Sequence, residues 1–309
     1  MAAQEPLITS IATRPEHSAL ALSRIPVVIR AVVVGVGVAA LGTLSWAWLV
    51  SANLAHLSAV PWSVPAMAAL LIVYWRYFVR GRGWPSSTSD ARRTMARVNP
   101  VRDEAWGVAF GAGVLGLMSI LLLQGVMGRL VRLPVQRDLD VSRFPAATVL
   151  AWVVMSAFVA GIVEETAYRG YLQRPIERRH GPAMAILISG TLFGFAHFSH
   201  PEVGLTLLPY YLAVAAVYGS LAYFTDSTLP SMVLHVGGNI FSAFDLFTRG
   251  RSEWQLTAAP PRLVWETGAD AAFVGNVLAF LAASALTVWA FAALSRATRA
   301  APGSIAALR

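Results

Sequence analysis

Long apolar runs separated by short polar stretches dominate the chain. A bilayer span takes about 20 mostly apolar residues. Runs near that length lie at 26–50, 60–79, 105–126, 145–163, 182–198, 203–224, 229–247 and 271–294. They predict an all-α fold, a polytopic integral membrane protein built as a bundle of about eight transmembrane helices. The second run is the weakest, because Pro61 and Pro65 interrupt its start and Arg76 lies near its end. The first run exceeds the roughly 7–15 apolar residues of a secretory signal, so it reads as a permanent helix.

The polar intervals give organisation and orientation. Residues 80–103 carry Pro85, Ser86, Ser87 and Ser89 and read as a linker. It divides an N-terminal tail and helical pair (1–104) from a multi-helix membrane domain (105–296), which a short tail (297–309) follows. That linker holds Arg80, Arg82, Arg92, Arg93, Arg97 and Arg102, and the interval after the fourth run holds Arg169, Arg174, Arg178 and Arg179. The intervals 51–58 and 199–202 have none. Arginine enrichment marks cytoplasmic loops, so both termini are expected inside. Arg129, Arg132, Arg137 and Arg143 oppose this, partly offset by Asp138 and Asp140. Trp46, Trp48, Trp62, Trp75 and Trp106 fall near predicted helix ends, as interfacial anchors or lipid-facing filler.

Composition agrees. Of 309 residues, 56% are hydrophobic and 13% charged, and mean hydropathy is +0.59. A soluble domain carries about a quarter charged residues. The net charge of +8 comes from arginines spread between apolar runs, which fits a lipid bilayer as partner and no nucleic acid. An all-arginine basic set points to a bacterial cytoplasmic membrane. Without cysteine, thiolate metal sites and a cysteine nucleophile are excluded.

Ionisable groups inside apolar helices cost about 2.5–3.5 kcal/mol each at the bilayer centre and mark function. Here they are Glu164 and Glu165 closing the fourth run, His197 in the fifth and His235 in the seventh, with Asn239 beside it. Residues four apart share a helix face, which pairs Glu165 with Arg169, Phe193 with His197 and His235 with Asn239. Gly237 and Gly238 allow a close backbone approach there. A carboxylate in an apolar cavity keeps its proton more tightly than in water, which suits a base near neutral pH. Glu164 is the candidate to activate water against a peptide carbonyl, with Arg169 orienting Glu165. His197 would position the water, while His235 and Asn239 donate to the oxyanion.

Glu164-Glu165-Thr-Ala-Tyr-Arg169, Phe193-Gly-Phe-Ala-His197 and His235-Val-Gly-Gly-Asn239 resemble, in order, the EExxxR, FxxxH and HxxxN motifs of the CAAX-protease and bacteriocin-processing (Abi) family of intramembrane glutamate endopeptidases. The resemblance covers about 144–247. It implies a helical peptidase open to the cytoplasmic side, acting on membrane-anchored or lipidated peptide substrates. It also implies a catalytic set of Glu164, His197, His235 and Asn239, with Glu165, Arg169 and Phe193 supporting.

The alternative metal reading makes Glu164, His197 and His235 a zinc site with an open position. No HExxH helix is present and Asn239 is a poor zinc ligand, so the metal-free, cofactor-free mechanism is preferred. Another class of reading is a catalytically silent scaffold or bacteriocin-immunity protein. A transporter with a proton relay would show inverted repeats, and none is evident. Among the remaining candidates, His200 and Asp245 read as lying outside the site, Tyr168 as a belt aromatic, and His17, His56 and His180 as loop residues. One conflict stands. With about 1.5 Å rise per residue, His197 lies about 22 Å along the fifth helix and His235 about 10 Å along the seventh, whereas Glu164 ends the fourth. Extending the fourth helix is not expected to bring them level.

Overall fold

The computed structural model describes residues 26–56, 59–133, 143–197, 201–249 and 261–299. His17, His200, Arg137, Asp138, Asp140, the N-terminal tail and residues 300–309 lie outside the described residues, as does the side chain of Asp245. Among the described residues every regular element is helical.

Helix α1 is Val27–Ala55, and α2 is Ser63–Tyr74, prolonged by a π turn at Trp75–Val79. A 3-10 turn, Ser86–Thr88, leads into α3, Ser89–Ala96, and then comes α4, Asp103–Leu130. Helix α5, Ala146–Val159, passes without a break through a π-helical stretch, Ala160–Leu172, into α6, Gln173–His180. The remaining helices are α7 (Pro182–Ala196), α8 (Pro201–Thr225), α9 (Leu229–Arg249), α10 (Val264–Thr267) and α11 (Ala271–Arg299).

Among the described residues, five helices are long and apolar enough to cross a membrane: Val27–Ala55, Asp103–Leu130, Ala146–His180, Leu205–Thr225 and Ala271–Arg299. Ser63–Val79 and Pro182–Ala196 are shorter apolar helices. At 1.5 Å per residue they reach about 26 and 22 Å, short of a hydrocarbon core of about 30 Å.

The continuous rod Ala146–His180 is the central post of the bundle. Its 35 residues span about 52 Å. This corrects the expected end of the fourth helix at residue 163. The chain turns only at Gly181, whose φ of +83° favours glycine. Arg169, Arg174, Arg178 and Arg179 are therefore helical, and His180 ends a helix instead of lying in a loop. Polarity after Val163 does not end the helix, because most of those polar side chains find partners in other elements.

Extension of the rod also removes the helix-rise conflict. Helix α7 starts about 24 Å beyond Glu164 and runs back along the rod. Ser189 Oγ donates to the Tyr168 carbonyl at 3.0 Å, so Phe193, four residues on, comes level with Glu164, four residues back.

The π geometry shows at the exit of Ala160–Leu172, where the backbone N–H of Gln173 reaches Tyr168 O, five residues earlier. Such wide turns recur at functional sites. Residues 165–173 are all buried, enclosed by α1, α2, α3, α7 and α9. Tyr74 Oη donates to Val163 O at 3.4 Å, and Tyr171 Oη donates to Phe78 O at 2.7 Å. A Cβ at Gly161 would lie 2.3 Å from Val236 Cγ2 and 3.1 Å from Met232 O. The close approach of α9 is therefore made at Gly161. Gly237 has open space beside it, and Gly238 meets only Tyr218 Oη at 3.8 Å, which corrects the role expected of that pair.

The stretch 80–103 is folded. Arg92, 6% exposed, donates to the carbonyls of Tyr77, Gly81, Gly83 and Pro85 and to the Thr88 hydroxyl. Arg97 sits at φ 57° and gives two hydrogen bonds to Glu177, at 2.9 and 2.8 Å, and one to Asp226 at 3.0 Å. Its carbonyl accepts from Thr228 N at 2.9 Å. This clamp fixes the start of α9 to the far end of the rod. At the other end of the bundle, Arg129 pairs with Asp270 at 3.0 Å and Arg132 with Glu266 at 2.5 Å. These pairs engage two of the four arginines expected outside, Arg129 and Arg132. Trp46 is neither filler nor belt: it is buried and donates to Ser156 Oγ at 2.8 Å.

Candidate active site

Glu164, Glu165 and Arg169 project from the π-helical part of the rod, and His235 projects from α9. Glu165 is fully buried. Its Oε1 lies 3.0 Å from Arg169 Nη1 and 2.8 Å from His235 Nδ1. A carboxylate beside a guanidinium accepts, so Nδ1 is the donor and Nε2 is turned toward Glu164. Nε2 stands 3.8 Å from Glu164 Oε2. That is too long for a direct hydrogen bond and suits a bridging water. Glu164 differs from its neighbour in access: its side chain is 13% exposed while that of Glu165 is 0% exposed.

The polar cluster is walled by rings. The Arg169 guanidinium lies 4.7 Å from the centroid of Phe193 and 5.4 Å from that of Tyr218. Among the described residues its three nitrogens make no hydrogen bond of good geometry. Ring faces and one carboxylate therefore carry most of its stabilisation, as cation–π contact allows. Tyr218 stacks on His235, with centroids 5.1 Å apart and planes at 20°. Tyr168 is buried edge-on against Phe193 at 5.1 Å, a core position where a belt aromatic was expected.

His197 follows the last residue of α7 and is exposed. Its Nδ1 donates to Phe193 O at 2.8 Å. Its ring lies 4.5 Å from that of Phe193 and 4.7 Å from that of Tyr211. No ion pair joins it to Glu164 among the described residues, so it borders the cluster across Phe193. Asn239 is half-buried one turn beyond His235. No group of three or more His, Cys, Asp or Glu among the described residues is placed to hold a metal. Of the three ligands of the zinc alternative, only Glu164 and His235 approach each other, and Nδ1 of His235 is already engaged by Glu165.

The structure thus gathers Glu164, Glu165, Arg169, Phe193 and His235 directly, with His197 and Asn239 at the margin. It adds Tyr168, Tyr211 and Tyr218, none of which sequence reasoning placed at the site. A signal existed for two of them: Tyr211 and Tyr218 are seven residues apart in one apolar run, hence on one helix face.

No curated protein and no solved structure matches the chain. Residues 146–241, which hold all three motifs and their shared cluster, match the family model described as Type II CAAX prenyl endopeptidase Rce1-like, the same family that those motifs resemble.

Proposed function

We propose that the protein is an intramembrane endopeptidase that hydrolyses peptide bonds of membrane-anchored or lipidated substrates with a glutamate-activated water. The single observation that carries this reading is the relay Arg169–Glu165–His235–Glu164, which ends on the one more accessible carboxylate.

The attacking water bridges Glu164 and His235 Nε2. Glu164 takes its proton as the oxygen adds to the peptide carbonyl carbon. The tetrahedral oxyanion accepts a hydrogen bond from Asn239 and, when His235 is protonated, from its Nε2. As the C–N bond breaks, the proton held by Glu164 passes to the leaving amine. Arg169 and Glu165 stay in place throughout and fix the His235 tautomer. His197 orients the substrate or water from the margin. No metal takes part.

The membrane part comprises eight helical segments, the five long spans, the shorter Ser63–Val79 and Pro182–Ala196, and the 21-residue α9, in one cytoplasmic membrane. The arginine-rich end, which holds Arg97, Arg174 and Arg178, faces the cytoplasm, as does each terminus. The Arg97–Glu177 and Arg174–Asp226 pairs support this by bringing both arginine-rich segments to one end.

The test is cleavage of a peptide library by the purified protein in lipid vesicles, with and without chelator, beside Glu164→Gln. Cleavage that withstands the chelator and is lost in the variant is expected. Undiminished cleavage by Glu164→Gln removes Glu164 as the base. Cleavage lost to the chelator and restored by zinc replaces the metal-free mechanism.

A further inference from the structure

Helix α8 carries none of the three motifs, yet it supplies a ring to each motif histidine. Tyr218 lies against His235, with centroids 5.1 Å apart and planes 20° apart. Tyr211 lies against His197 at 4.7 Å and 32°. Both tyrosines are 4% exposed. Their spacing of seven residues is close to two turns, which puts both rings on one face of one helix. Phe193 links the two levels: its ring lies 5.8 Å from Tyr211 and 6.4 Å from His235.

We infer that Tyr211 and Tyr218 are positioning residues that set the ring planes of His197 and His235. The inference rests on the reading of these histidines as part of a hydrolytic site. Hydrogen bonding alone under-determines each imidazole. His235 is held at Nδ1 by Glu165 and His197 at Nδ1 by Phe193 O, and one such bond leaves the ring free to swing about it. A flat partner on one face removes that freedom and aims Nε2. For His235 the aim is toward Glu164, 3.8 Å away. Tyr218 has a second contact, the Arg169 guanidinium at 5.4 Å from its centroid, so one ring bears on both groups that flank Glu165. A misdirected catalytic group costs on the order of 100-fold in rate for about 1 Å of displacement.

The experiment compares Tyr218→Phe and Tyr218→Leu, and likewise Tyr211→Phe and Tyr211→Leu, in the full chain reconstituted in nanodiscs. Two readouts are taken. In histidine-labelled protein, the His235 imidazole proton signals, assigned with His235→Gln, should be shifted upfield by the tyrosine ring current. That shift should persist in Tyr218→Phe and vanish in Tyr218→Leu. In the cleavage assay, kcat should fall on the order of 100-fold in Tyr218→Leu with KM little changed, and Phe should restore most of it. Tyr211→Leu should do the same to the His197 signals and to kcat. An unchanged imidazole spectrum in the Leu variants overturns the inference, as does a Phe variant as impaired as Leu. The spectrum needs no substrate. If the wild type shows the ring-current shift but Glu164→Gln cleaves normally, the positioning stands and the hydrolytic reading fails. If Glu164→Gln is dead but the Leu variants cleave like wild type, the reverse holds.

Discussion

His235 donates from Nδ1 to Glu165 Oε1 at 2.8 Å, although 70 positions separate the two residues. The bond ties α9 to the centre of the rod and leaves the other ring nitrogen facing Glu164. The two neighbouring glutamates therefore have different surroundings. One is sealed between a cation and an imidazole, and the other keeps a side chain 13% exposed.

That division makes the two glutamates separable by mutation. Glu164→Gln should lower kcat by roughly 10²–10⁴-fold while the purified protein keeps its elution profile and melting point. Glu165→Ala leaves the Arg169 cation buried without its carboxylate, a loss of about 3–5 kcal/mol. It should appear first as poor yield of folded protein. Equal melting points for the two variants would contradict this division.

Gly161 should tolerate no side chain. Gly161→Leu drives a side chain into Val236 and the Met232 carbonyl, an overpacking cost of about 1–3 kcal/mol or more. Activity should fall together with thermal stability. Gly237→Ala meets nothing within 4 Å and should melt like the wild type. A measured order of stability with Gly237→Ala below Gly161→Leu would mean that α9 does not meet the rod at Gly161.

The Arg92 cage gives a prediction remote from the chemistry. Arg92→Ala removes one donor from each of the Tyr77, Gly81, Gly83 and Pro85 carbonyls, of which Gly81 keeps Ser89 Oγ and Pro85 keeps Thr88. Hydrogen bonds to a charged group are worth about 1.5–3 kcal/mol each. Limited proteolysis should therefore cut between residues 80 and 90 in the variant well before it cuts the wild type. Equal cleavage rates would mean that the guanidinium is not what holds this loop.

Arg129 and the Phe273 N–H hold the Asp270 carboxyl below its ordinary value of 3.8. A depressed folded value stabilises the fold above the unfolded value, and that stabilisation drains away as pH falls through the folded one. Asp270→Asn should melt below the wild type at neutral pH and converge with it in strong acid. A gap that persists in acid would point to lost packing in place of lost charge.

What could be read from the residues alone was local: apolar runs, residue types at helical spacing, and the order of three motifs. The runs located the helical segments because span length and hydrophobicity are properties of consecutive residues. The motif spacing also predicted that Glu165 and Arg169 meet, and they do, at 3.0 Å. The end of the fourth helix was hidden because Glu177 and Gln173 look like loop residues until Arg97 and the Gly219 carbonyl are brought to them. Likewise Gly237 and Gly238 looked like the contact point, whereas the backbone approach falls at Gly161. The sequence by itself determined an all-helical chain with several bilayer-length apolar runs and singled out its candidate site side chains. Only the tertiary structure decided which carboxylate is sealed by Arg169 and His235, which stays more accessible, and which tyrosines of α8 back the imidazoles. Those relations join residues far apart in the chain, and their partners depend on the register in which helices pack, which hydropathy does not encode.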